Sequence, residues 1–258
     1  MAHTGITIKK PKEIELLRES GRRLARVLHE VAKAVRPGVT TKSLDVIAER
    51  LILEAGDIPS FKNYQPYGAD YPFPASICIS VNDQIVHGIP GRRVLKEGDI
   101  VGLDLGVTHK GMITDAAISV PVGKVPKKVS RLLDRTEASL YAGIAAAVGG
   151  AYTGDIGAAV EAVARKEGYG VVRELAGHGV GYKVHEDPYV PNYGKKGEGT
   201  LLVPGMVIAI EPMFNLGKQY IETQEDGYTI STVDGSTSAH FEHTILITEG
   251  APEILTKE

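Results

Sequence analysis

Asp104, Asp115, Glu211 and Glu242 each interrupt a run that otherwise reads as buried strand: DIVGLDLG (99–106), MITDAAISV (112–120), IAIEPM (208–213) and HFEHTILIT (240–248). A carboxylate withdrawn from water is costly unless an opposite charge accompanies it. All four interruptions are satisfied at once if the strands converge and the acids share cations. His178, set between glycines in GHGVG (177–181), adds an imidazole where the backbone can approach a ligand closely. Four carboxylates and one imidazole make a hard, oxygen-rich ligand set, suited to two divalent ions of the manganese, iron, cobalt or zinc kind. Two such ions about 3.5–4 Å apart activate water and clamp both ends of a hydrolytic displacement. The residues therefore point to a metallohydrolase.

The two aspartates carry a geometric expectation. A hairpin turning through 108–111, centred between His109 and Lys110, would set Asp104 directly opposite Asp115. Opposed like charges on adjacent strands are destabilising, and burial makes them worse. A cation between them removes the conflict. The alternative is a pair facing water at a sheet edge. Against it stand Val101, Leu103 and Leu105 around Asp104, and Ala116, Ala117 and Ile118 after Asp115. His-Lys is not a strongly typed two-residue turn, so a shift of one residue stays open.

Around these segments the chain reads as α+β. Ile14, Leu17, Leu24, Leu28, Val31 and Val35 recur at helical spacing across 11–35, with Pro11 as a start signal and Pro37-Gly38 as a stop. A second helix is expected over 41–55, with Thr41 as N-cap and Gly56 as terminator. The stretch 38–56 aligns without gaps onto 150–168 at a constant offset of 112, matching Gly38 to Gly150, Thr41 to Thr153, Glu49 to Glu161 and Gly56 to Gly168. Each copy follows another candidate helix, 11–35 or 127–147. If the repeat is real, the chain has two similar halves, about 1–122 and 123–258, within one catalytic domain spanning 1–258. Strands are expected at 76–81, 99–107, 112–120, 207–213, 219–223, 227–233 and 240–248. The Pro- and Gly-broken tract 189–205 reads as a loop. Helix pairs followed by antiparallel strands place helices on one side of a curved sheet.

Composition narrows the classes. A net charge of −3 argues against a chain built mainly to bind nucleic acid, and the cluster Lys124, Lys127, Lys128 and Arg131 reads as a solvated helix face. With Cys78 as the one cysteine, no intrachain disulfide and no cysteine-based zinc ribbon can form. The first residues do not resemble a signal peptide, and no run approaches the roughly 20 apolar residues that span a bilayer. The expected setting is soluble, reducing and cytoplasmic.

Further motifs join the five ligand candidates: His185 in VHEDP (184–188) and His87 in NDQIVHGIPG (82–91). Alone, His87 reads as readily as a surface-turn histidine. Together, the segments IKKPKEIELLRESGR (8–22), SICISVNDQIVHGIP (76–90), GHGVGYKVHEDP (177–188) and SAHFEHTILIT (238–248) closely resemble the type I methionine aminopeptidases, in their short bacterial form. These share the pita-bread fold with aminopeptidase P and prolidase.

The resemblance implies a curved antiparallel sheet covered by helices, in two pseudo-symmetric halves. It implies two divalent ions (Mn, Co, Fe or Zn) held by Asp104, Asp115, His178, Glu211 and Glu242, with Asp115 and Glu242 bridging. Glu211 would be the general base, His185 the partner of the scissile carbonyl, and His87 a contact of the peptide nitrogen. Tyr71, Phe73, Cys78, Val184 and Tyr228 would shape the side-chain pocket. Cys78 lies within the apolar strand ICISV, which argues against a nucleophile. The implied reaction removes methionine from peptides and nascent proteins whose second residue is small, with transient ribosome contact, no specific nucleic-acid binding, no membrane and a monomeric chain.

Four positions depart from the common pattern. Val184 stands where many relatives carry Phe, Tyr228 where some carry Trp, Leu175 replaces an aromatic or Met, and His240 replaces Gln. Two rival readings remain: an aminopeptidase or X-Pro dipeptidase of other specificity, and a non-catalytic pita-bread protein that binds RNA or partner proteins.

Overall fold

The computed structural model describes residues 5–258. Four helices form: α1 (Pro11–Lys33), α2 (Thr41–Glu54), α3 (Lys127–Ala146) and α4 (Thr153–Glu167). In α1, Pro11 occupies the first turn and the Glu13 carboxylate accepts from the Lys10 backbone N–H at 2.7 Å. The cap of α2 differs from expectation by one residue. Thr40 is the N-cap, accepting from Ser43 N–H at 3.2 Å. Thr41 is buried instead, its hydroxyl exchanging hydrogen bonds with the backbone of Gly91.

The offset of 112 between the two aligned segments persists in three dimensions. Gly38 and Gly150 have φ of 89° and 88°, while Gly56 and Gly168, just past α2 and α4, have 75° and 73°. Thr40 pairs with Val94, and the equivalent Tyr152 pairs with Leu201, both antiparallel.

The strands are β1 (Ile58–Pro59), β2 (Cys78–Val81), β3 (Gln84–Val86), β4 (Ile100–His109), β5 (Met112–Pro121), β6 (Gly170–Val171), β7 (Ala176–Gly179) and β8 (Glu186–Pro191). They continue with β9 (Val207–Ile210), β10 (Met213–Asn215), β11 (Ile221–Thr223), β12 (Ile230–Thr232), β13 (Ser238–His240), β14 (Glu242–Leu246) and β15 (Glu253–Ile254). The main sheet runs β1-β4-β5-β14-β9-β7-β8, with β2 also on β4 and β15 also on β14. Two three-stranded sheets, β13-β10-β6 and β11-β12-β3, lie beside it.

Side-chain alternation divides the main sheet into a helix face and a site face. Along β4, Val101, Leu103, Leu105 and Val107 pack with Leu24, Leu28 and Val31 of α1 and Leu44, Ala48 and Ile52 of α2. A second cluster joins Leu132, Leu140 and Ile144 of α3 and Ile156 and Val160 of α4 to Ile208, Ile210 and Ile245 of β9 and β14. Asp104 on β4, and Glu242 and Thr244 on β14, occupy the alternate positions.

Several expectations change at the strands. The hairpin β4–β5 pairs Asp104 with Ala117 and Gly106 with Asp115, two residues from the expected register. The cause is the turn: Lys110 and Gly111 take φ of 49° and 83° as a two-residue loop between His109 and Met112. The aspartates are therefore diagonal neighbours on one face, not opposed. The run 207–213 breaks at Glu211-Pro212, because proline has no N–H for a ladder. The run 240–248 breaks at Phe241, whose N–H turns to the Pro212 carbonyl. The tract 189–205 begins inside β8, and β7 is a strand despite its glycines. Close backbone approach explains those glycines: a Cβ on Gly177 would lie 2.2 Å from Ala209 O, and one on Gly179 would lie 2.1 Å from Asp187 O.

Two glycine classes give a test. Gly38 and Gly150 have open space where a Cβ would go, whereas a Cβ on Gly21 of α1 would lie 2.2 Å from the Leu255 carbonyl. Gly38→Ala and Gly150→Ala should each cost about 1–2 kcal/mol through backbone strain, and equally within error. Gly21→Ala adds a clash with backbone and should cost about 1–3 kcal/mol with a loosened α1. Urea unfolding of the three variants checks both statements.

Candidate active site

One cavity collects the acids. It is lined by Asp104, Asp115, His178, Glu211 and Glu242, together with His87, His185, Phe61, Tyr64, Pro66, Phe73, Cys78, Val184 and Tyr228. Ligand atoms of Asp115, His178 and Glu242 all lie within 4.8 Å of one another. His178 Nε2 is 3.5 Å from Glu211 Oε1, and His240 Nε2 is 3.7 Å from Glu211 Oε2. The two strand breaks make this convergence. Glu211 follows the last residue of β9 and Glu242 opens β14, where the chain passes between the main sheet and its neighbour. Asp115 is fixed by Thr244, which donates its hydroxyl to Asp115 O at 2.7 Å and accepts from Asp115 N at 2.9 Å.

The cluster is electrostatically frustrated without a cation. Burial, then the charge of Asp115, pushes the Asp104 carboxyl well above the usual range. Burial lifts Asp115 to about 7. Glu211 is raised by burial and then by Asp104 and Asp115, and Glu242 by burial and then by Asp115, Glu211 and Asp104. Asp104 Oδ1 and Asp115 Oδ1 are buried without a hydrogen-bond partner among the described residues. Buried acceptors left unpaired are costly, and divalent cations relieve both the repulsion and the missing bonds. The donor set fits a divalent metal.

The histidines are held neutral. Burial, then His185, pushes His178 down to about 3; burial, then His185, takes His87 to about 4; burial also lowers His185. His178 Nδ1 lies 2.9 Å from Gly179 O, so Nδ1 carries the proton and Nε2 presents its lone pair to the acids. His185 places Nδ1 3.0 Å from the Tyr64 hydroxyl, and its ring meets the His178 ring edge-on at 4.5 Å. His87 has φ of 58°, and Gly88 behind it packs so closely on β2 that a Cβ would fall 2.2 Å from Ile79 O.

An apolar pocket opens onto the acids. Phe61, Phe73, Cys78, Val184 and Tyr228 form one buried cluster. The Tyr228 ring meets Phe73 at 5.2 Å and Tyr71 at 5.1 Å, both edge-on. Tyr71 is not among the cavity-lining residues. Its carbonyl accepts from the Tyr228 hydroxyl and its own hydroxyl donates to Asp226 O, so it braces Tyr228 from outside. Phe61, Tyr64 and Pro66 line the cavity without having been foreseen; their signal is the aromatic density of FKNYQPY (61–67), which has no periodicity. Burial, then Asp104, drives the Cys78 thiol well up, which suits a wall and not a nucleophile.

The description of metallopeptidase family M24 matches residues 15–249. The chain is 48% identical over 252 residues to methionine aminopeptidase 1 of Bacillus subtilis, covering 98% of this chain and 99% of the relative. It is 45% identical over 251 residues to the methionine aminopeptidase of Clostridium perfringens, covering 97% and 98%. Among solved structures, the methionine aminopeptidase of Thermotoga maritima superposes with a TM-score of 0.94 at 41% identity, covering 98% of this chain and all of that one (100%). An Xaa-Pro dipeptidase from Bacillus anthracis shares the fold, with a TM-score of 0.78 at 22% identity over 97% of this chain and 62% of that one.

Manganese added to chelator-stripped protein should raise the melting temperature, by an amount equivalent to about 2.7 kcal/mol at a hundredfold excess over Kd. Asp104→Asn removes one of the crowded charges. The stripped variant should be more stable than the stripped parent, on the order of 1 kcal/mol, and should lose most of the manganese response. Scanning calorimetry with and without metal reads both effects.

Proposed function

The chain belongs to metallopeptidase family M24 and, within it, to the metal-dependent methionine aminopeptidases, and from that premise we propose that it acts on peptides whose second residue is small. The observation that carries this reading is that the acid–histidine cluster and the apolar pocket are one cavity. A side chain held in that pocket brings the adjoining peptide bond and free amine against the acids. The fold is the pita-bread fold shared with prolidases.

Asp104, Asp115, His178, Glu211 and Glu242 would together hold two divalent ions of the Mn, Co, Fe or Zn kind. When bound, they supply Lewis acidity to water and carbonyl and allow all four acids to ionise. The remaining tasks fall to the chain. Phe61, Phe73, Val184 and Tyr228 enclose the methionine side chain, whose thioether packs favourably on aromatic edges. The ionised acids attract the substrate's α-amine. Glu211 takes a proton from the attacking water, whose oxygen bonds to the carbonyl carbon. It then releases that proton to the leaving nitrogen as the C–N bond breaks. The Tyr64 hydroxyl lies 3.0 Å from His185 Nδ1; with Tyr64 as the donor, the ring proton sits on Nε2, where it donates to the developing oxyanion. Half-buried, neutral His87 faces the peptide nitrogen.

Among the described residues, no helix is long and apolar enough to cross a membrane. The substrates fitting this reading are peptide and nascent-protein N-termini in the cytoplasm, met by a monomer in transient contact with the ribosome. Val184 in place of a ring leaves room at one pocket wall, so the strictness of methionine selection is a property to measure.

Stripped protein should release free methionine from Met-Ala-Ser only after Mn²⁺, Co²⁺ or Fe²⁺ is restored. Cleavage before proline, with Met-Ala-Ser left intact, would favour the dipeptidase reading. His185→Ala should lower kcat by about 10²–10³-fold with the fold intact. Glu211→Gln should abolish turnover more completely than it weakens binding of a methionine-bearing peptide, as read by calorimetry.

A further inference from the structure

Lys9 is 3% exposed, and nothing in the mechanism uses it. Its ammonium sits 2.7 Å from Glu186 Oε2, and that carboxylate side chain is itself only 5% exposed. A buried ion pair is an expensive feature that seldom adds net stability, so its presence calls for another reason. The reason lies in its neighbour: Glu186 follows His185 directly.

Glu186 is saturated with hydrogen bonds. Oε1 accepts from the backbone N–H groups of Tyr182 and Lys183, and Oε2 accepts from Lys9 Nζ and, at 2.6 Å, from the Thr7 hydroxyl. The first two bonds close the turn 182–186, which carries Val184 and His185 into the cavity. The second two tie that turn to a segment 177 and 179 residues away in sequence. That segment is anchored in turn: Ile6 pairs with Asp187, Gly5 N–H donates to Asp187 Oδ2 at 2.9 Å, and Lys9 N–H donates to Gly205 O at 2.9 Å. Lys9 also lies over the Tyr182 ring at 4.8 Å, and the fit at Gly181 is tight, since a Cβ there would meet Lys9 Cε at 2.4 Å. Among the described residues, His185 itself makes one side-chain hydrogen bond, to Tyr64. Its backbone position therefore rests on the turn beneath it.

We propose that Lys9 and Glu186 are positioning residues for His185, a buried ion pair through which the segment before α1 sets the imidazole against the scissile carbonyl. The proposal rests on the carbonyl-binding role given to His185 above. A displacement of about 1 Å at a reacting group can cost up to about a hundredfold in rate, so a brace of this kind is worth a buried charge.

The test is a double-mutant cycle on the manganese-loaded enzyme with Met-Ala-Ser. Lys9→Met keeps the length of the stem and removes the charge. Lys9→Met/Glu186→Gln leaves no lone buried charge and serves if the single variant folds poorly. Either should lower kcat by about 10-fold or more, with manganese affinity by calorimetry within twofold of the parent. In a His185→Ala background the same substitutions should change kcat by less than twofold. An unchanged kcat in the His185-containing variants overturns the proposal. So does an equal loss in both backgrounds, which would mean that the pair acts through the fold at large. If His185→Ala alone leaves kcat unchanged, the role of His185 fails first, and the positioning role falls with it.

Discussion

Desolvation of four carboxylates is the constraint around which the rest of the molecule is arranged. Asp104, Asp115, Glu211 and Glu242 share one cavity: Asp115 raises the proton affinity of Asp104, both aspartates raise that of Glu211, and all three raise that of Glu242. Hydrophobic packing by four helices on the opposite face of the sheet supplies the stability that lets such a cluster persist. The division is possible because a strand alternates. The residues that feed the cores and those that form the site are neighbours in sequence but face opposite ways. Desolvation in the same cavity disfavours imidazolium at His178 and His87 and so leaves ring nitrogens free to bind or donate.

Irregular backbone does the remaining work. Continuous strands through 207–213 and 240–248 would carry their glutamates along one sheet. The breaks at Pro212 and Phe241 instead hand the chain from the main sheet to the β13-β10-β6 sheet, and both glutamates sit at the transfer. His87 adopts a left-handed conformation for a related reason: the turn behind it must press against β2, leaving the imidazole over the cavity. The basic residues of α3 have no share in this. Arg131 and Arg135 pair with Glu167 on the outer surface, as a solvated helix face would.

Much of this was legible in the sequence because the signals were local. Helical spacing located α1 and cap residues located α2 within a residue or two, and the matched glycines of the repeat adopt matched angles. Charges inside apolar runs picked out the residues that meet in the cavity. What was not legible depended on backbone conformation or long-range contact. The hairpin register turned on Lys110 accepting a positive φ, which its identity does not advertise. The strand 207–213 read as continuous because Ile208, Ile210 and Met213 are apolar, and the single proline carried the break. Phe61 and Tyr64 come from a loop with no period to read, and Tyr71 packs on Tyr228 behind the lining, a contact with no sequence signature.

The position of β14 has a consequence for how the molecule comes into being. It lies between β5 and β9 in the main sheet, yet it follows both in chain order, so the middle of the sheet is filled after its flanks have been made. During synthesis β5 waits with an open edge, and Asp104 and Asp115 wait without Glu242. Closure brings together residues more than a hundred positions apart, a slow event by the standards of local contacts. Until it happens the sheet has an adhesive rim and the acids have no complete ligand shell. The full set of acids therefore exists only once β14 has closed against β5.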